Sequence, residues 1–212
     1  MALDPNPTER SEQRLLDRMC NFSDAVFAFA MTLLVLDLRP QTTLDPGWAV
    51  DARARFAAFA LSFAVISVFW AGHLTATRRL LRFDWYCFWI NLAVIFSVVL
   101  MPFATSLLGS AIDPADGWRL YCAVIVALSL AQSALSLAIF RDRGRLVGGA
   151  SVRERASRLV RAMSPGLAFT VGFLLTEGGR LDLARWCWTL ILPLMIVARF
   201  VAPARPRSAA AA

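Results

Sequence analysis

The chain has 212 residues, 58% of them hydrophobic, with a formal net charge of +7. Soluble domains run nearer 45–50% apolar, and here the apolar residues come in long blocks with charged punctuation between them. That pattern predicts an all-α, polytopic membrane protein, with no room for a separate soluble domain. Every basic residue is Arg, and the arginines lie between the apolar blocks, where membrane topology accounts for them without nucleic acid. The cysteines Cys20, Cys87, Cys122 and Cys187 stand singly, without a CxxC spacing, and read as small buried apolar residues rather than as a disulfide framework or metal site.

Residues 1–12 read as a polar cytoplasmic tail without the order of a cleaved signal peptide. The first helix is expected from near Ser11, where SEQR offers a cap and a first turn, through to Leu38. A loop at Pro40–Gly47 follows, with Trp48 as an interfacial anchor. Further blocks are predicted at about 52–74, 85–112 (with Pro102 as a kink), 118–140, 159–178 and 183–202. The fifth is preceded by an amphipathic lead-in and interrupted by Pro165, Gly166 and Gly172. Six spans result, making a transmembrane domain of residues 13–203 followed by a cytoplasmic tail, 204–212. With the N-terminus inside, the inner segments hold most of the arginines, including seven between Arg141 and Arg161. Arginine bias therefore places both termini in the cytoplasm.

The first block carries the chemistry. Asp24 lies just inside its start and Asp37 at its end, roughly 20 Å apart along a helix. A hydrocarbon core is ~30 Å thick, so a lone lipid-facing helix would bury a carboxylate at a cost of several kcal/mol. Asp24 needs partners, or the helix lines water. Arg18 is six residues from Asp24, on a different face, and cannot pair with it within one helix. Arg18 of a neighbouring subunit, Trp70, His73 and Asn91 lie at similar depth. Phe29, Leu33 and Leu36 are spaced i, i+4, i+7, with Phe22 and Val26 extending the stripe. The stripe either packs against other helices or, in copies around an axis, forms apolar rings that constrict a pore. Asp37 is either a solvated helix-end carboxylate or part of an outer ring that concentrates cations.

The chain has no P-loop, Rossmann glycine pattern, HExxH, GxSxG or TVGYG stretch, and only one histidine. Little remains from which to assemble catalysis, so no enzyme, cofactor or metal site is expected.

Arg18-x3-Phe22-Ser23-Asp24, followed by AVFAFAMTLLVLDL, resembles the signature of the transmembrane protein 175 family, bacterial relatives of the endolysosomal potassium channel. Trp70-x2-His73, Asn91 and Pro102-Phe103 are also similar to the family; blocks four to six match only by number and hydropathy. The resemblance implies a homotetramer of six-helix subunits in the bacterial inner membrane, among membrane lipid. The first helix would line a potassium-permeable pore. It implies constrictions at Phe29, Leu33 and Leu36, a selectivity role for the Thr32 hydroxyl, and a Phe22-Ser23-Asp24 region tying the first helix to the second and third. Phe29 stands where the family usually has Ile or Leu. The rivals are a proton or weakly selective monovalent-cation leak and a non-conducting scaffold.

Overall fold

The computed structural model describes residues 7–38, 48–110, 113–141, 146–148 and 151–201. The loop at Pro40–Gly47, the Trp48 side chain, Gly144, Gly149 and most of both tails lie outside the described residues. The described chain is helical: α1 (Pro7–Leu33) with a 3-10 segment (Leu34–Leu38), α2 (Trp48–Thr77), α3 (Trp85–Val99), α4 (Met101–Ser110), α5 (Pro114–Ile139), α6 (Val152–Glu177), α7 (Leu181–Ala184), a 3-10 turn (Cys187–Leu190) and α8 (Ile191–Val201). Among the described residues, five stretches are long and apolar enough to cross a membrane: Arg10–Leu38, Ala52–Thr77, Trp85–Leu108, Pro114–Ile139 and Val152–Glu177.

Helix boundaries follow local chemistry. The first helix starts at Pro7 rather than near Ser11, because proline's fixed φ and missing N–H suit a first turn. Residues 113–117, between the third and fourth predicted blocks, start α5: Asp113 accepts from the Ala115 N–H at 2.7 Å and Pro114 takes the first helical position. Likewise the lead-in to the fifth block is continuous with it. Ser151 caps the Glu154 N–H at 3.1 Å, and α6 runs from there without interruption. The third block breaks at Leu100, between α3 and α4, where Pro102 cannot donate to the Val98 carbonyl.

The last block departs from the continuous helix expected at 183–202. It is divided into α7, a 3-10 turn and α8. Pro193 supplies a reason. In a helix beginning at Ile191 its missing N–H falls in the first turn, where nothing is lost; in a helix beginning at 183 it would leave a bond unmade.

The core runs through α5, which packs on α3, α4 and α6. Tyr121, Ile125, Leu128, Leu135 and Ile139 are fully buried along it. The two glycines that seemed to weaken α6 are close-approach sites. A Cβ on Gly166 would fall 2.5 Å from the Ser129 Oγ, and one on Gly172 would fall 2.6 Å from the Cys187 Sγ. Small residues let the backbones come together. Ser129 uses that proximity, accepting from the Gly166 N–H at 3.1 Å and donating to the Ala162 carbonyl at 2.7 Å.

Candidate functional site: the first helix and its supports

Two apolar stripes run along α1. Leu16, Met19, Ser23, Phe27, Ala30 and Leu34 are buried and face the other helices. Their spacing of three and four residues is that of one helical face. Phe22, Phe29 and Leu36, from the stripe singled out by sequence, are 56%, 65% and 52% exposed. The two stripes lie about 100° apart around the helix at 3.6 residues per turn. Arg18 and Thr32 are exposed with this second stripe, while Val26 and Leu33 are partly covered. Thr32 donates its hydroxyl hydrogen to the Phe29 carbonyl at 2.7 Å, leaving the oxygen lone pairs to face outward.

Leu36 and Asp37 lie beyond the end of α1 proper, in the 3-10 segment Leu34–Leu38. The tighter winding of three residues per turn sets Leu36 directly above Leu33. Both leucines line a hollow of about 490 Å³ with Asp37, Arg55, Pro102, Phe103 and Ser106. Arg55 was not singled out by sequence. Its Nε is buried without a hydrogen-bond partner among the described residues. The signal available was its position: an arginine just inside the start of the second block, at the depth of Asp37.

At the other end, the Phe22-Ser23-Asp24 region is tied to two helices. The Trp70 Nε1 donates to the Asp24 Oδ1 at 3.0 Å. The Asn91 Nδ2 donates to the Ser23 Oγ at 2.9 Å, and Ser23 in turn donates to the Met19 carbonyl at 2.8 Å. A buried polar group in the membrane must find a partner within protein, and Ser23 and Asn91, each 1% exposed, find each other. His73 stands apart from these bonds. It packs against the Phe27 ring, with centroids 5.3 Å apart, and faces the Gln132 side chain. Arg18, Phe22 and Asn91 border a hollow of about 550 Å³ walled by Phe83, Trp85 and Phe88.

A further polar chain was missed. Thr105 donates to the Ser62 Oγ at 2.8 Å, and Ser62 lies 3.0 Å from the Tyr121 hydroxyl, joining α4, α2 and α5. Isolated hydroxyls inside apolar blocks were the available signal. Among the described residues no group of three His, Cys, Asp or Glu is placed to hold a metal ion.

Residues 18–102 match the family described as the endosomal/lysosomal potassium channel TMEM175. A potassium channel of Streptomyces collinus is 36% identical over 122 residues, covering 54% of this chain and 59% of that protein. The rat endosomal/lysosomal proton channel TMEM175 is 26% identical over 121 residues, covering 55% of this chain and 24% of that protein. The chain thus matches less than two thirds of the length of these relatives. Among solved structures, the Chamaesiphon minutus homologue of the lysosomal potassium-selective channel TMEM175 matches with a TM-score of 0.71 and 24% identity. That match covers 87% of this chain and 98% of the homologue. Residues 18–102 are thus similar in sequence to the TMEM175 family, and the fold is that of the solved bacterial homologue.

Proposed function

We propose that the chain is one subunit of a homotetrameric, potassium-permeable cation channel in the bacterial inner membrane, with α1 of each subunit lining the pore. The observation that carries the reading is the second stripe of α1. An apolar face that includes Phe22, Phe29 and Leu36 is left uncovered, while a different stripe does the packing. Four copies around an axis give this face a place, with Phe29, Leu33 and Leu36 as successive apolar rings that constrict by excluding water. Thr32 offers an outward oxygen among those rings, a hard ligand suited to an alkali cation. Asp37 stands at the outer mouth, and Arg55 borders the same hollow, so the mouth is a mixed rather than a purely anionic ring.

The Asp24–Trp70 and Ser23–Asn91 bonds serve as the fixed base from which α1 projects. The six-span subunit, residues 13–203, takes its sixth crossing from the segment α7–α8. Arginine asymmetry supports a cytoplasmic side for both termini. The proteins it resembles are ion channels rather than enzymes, and the reading needs no cofactor.

Purified protein in potassium-loaded liposomes should release potassium faster than sodium. A folded tetramer with no flux above empty vesicles would overturn the proposal. A second reading, a proton leak, draws on the rat relative, which is named a proton channel. Reversal potentials under separate potassium and proton gradients separate the two.

A further inference from the structure

A groove of about 380 Å³ opens between α2, α5, α6 and α8, away from the α1 face. Val68, Ala71, Gly72, Ala162, Pro165 and Met195 give it apolar walls. Arg158 and Arg161 border it toward the end where α2 finishes and α6 begins. Arg161 lies where the apolar part of α6 begins, after first turns that carry Arg153, Glu154, Arg155 and Arg158, and its side chain is exposed. A cation at that boundary beside an apolar groove favours an anionic counter-charge. Among the described residues Arg161 has no hydrogen bond or ion pair.

The nearby carboxylate is already engaged. Glu154 accepts from both Arg79 and Arg158, and Arg158 also donates to the Thr75 carbonyl at 3.2 Å. Arg79 and Arg158 therefore share one carboxylate, and with Arg161 beside them this end of the groove keeps a surplus of positive charge. Gln132, 3% exposed, lies in the α5 wall beside His73.

We propose that this groove binds an anionic phospholipid. The phosphate lies against Arg161 and Arg158, and an acyl chain lies along the apolar wall. A free phosphate would answer the arginines and leave the apolar wall wet; a neutral lipid would cover the wall and leave Arg161 without a counter-charge. Basic pockets between membrane helices are suited to such headgroups. Gly72 keeps the α2 side open, since a Cβ built there meets nothing within 4 Å. The inference requires only that the helices span a membrane, not that the protein conducts.

Native mass spectrometry of the full-length protein in mild detergent, titrated in parallel with phosphatidylglycerol and phosphatidylcholine, tests this. Wild type should bind phosphatidylglycerol more tightly than phosphatidylcholine. Arg161→Gln should weaken the phosphatidylglycerol adduct about fivefold, as expected for one arginine at an anionic lipid surface. Gly72→Trp, which places a ring in the open groove, should abolish the tightly held lipid. Arg180→Gln, at the far end of α6, should change nothing. Equal phosphatidylglycerol binding by wild type, Arg161→Gln and Gly72→Trp would overturn the proposal. Equal binding of the two lipids by wild type would do the same, as would an equal loss in Arg180→Gln, which would mean diffuse charge attraction. Loss of oligomer mass in Gly72→Trp with unchanged lipid would assign the groove to a second copy of the chain instead.

Discussion

In α5, 61% of the most apolar stretch is buried within the chain; in α1 the share is 28%. Both stretches are apolar enough to cross a membrane, with mean hydropathy 2.1 in α5 and 1.7 in α1, so the difference lies chiefly in what covers them. α5 is surrounded by α3, α4 and α6, and the hydroxyls of Tyr121, Ser129 and Ser133 find partners in the chain. α1 is anchored on one stripe and left open on another. A helix can be fully specified on one face by its own fold and still be unfinished on the other. That is what a subunit whose first helix meets its own copies requires.

Phe27 and Phe29 set this contrast two residues apart. Phe27 is 0% exposed against His73, and Phe29 is 65% exposed. Phe27→Ala should cost about 3–5 kcal/mol, whereas Phe29→Ala should change subunit stability by no more than about 0.5 kcal/mol. Thermal unfolding in detergent measures both, and equal losses would erase the distinction between the stripes. Next in size is Gly166→Leu, which forces a side chain into Ser129 and should destabilise by about 1–3 kcal/mol. If it unfolds like wild type, the α5–α6 approach is looser than described. A smaller loss is expected for Asn91→Leu. It leaves Ser23 without its interhelical donor and should cost about 0.6–1.7 kcal/mol, the range for hydrogen bonds between membrane helices. A neutral result there would remove the tie between α1 and α3 from the account.

The sequence made the existence of the spans legible because long apolar runs leave few alternatives. It also showed that Asp24 needed a partner, from depth alone, and Trp70 was among the residues at that depth. It did not choose between the two stripes of α1, since both are apolar at helical spacing. Ser23 was the discriminating residue: a hydroxyl amid Met19, Phe27 and Ala30 is tolerable only where a neighbour such as Asn91 can bond it. The change to 3-10 winding at Leu34 had no local marker, as LVLDL contains neither Gly nor Pro. The division of the last segment did have one, in Pro193. Gly166 and Gly172 read as breakers because spacing cannot show the partner helix that makes them useful.

The open stripe of α1 is the centre of the account, and potassium flux through Phe29→Ala in liposomes tests it most directly. If four Phe29 rings narrow the path, removing them raises flux severalfold over wild type with unfolding temperature and tetramer mass unchanged. Flux equal to wild type in a folded tetramer would contradict it, and would return this stripe to packing.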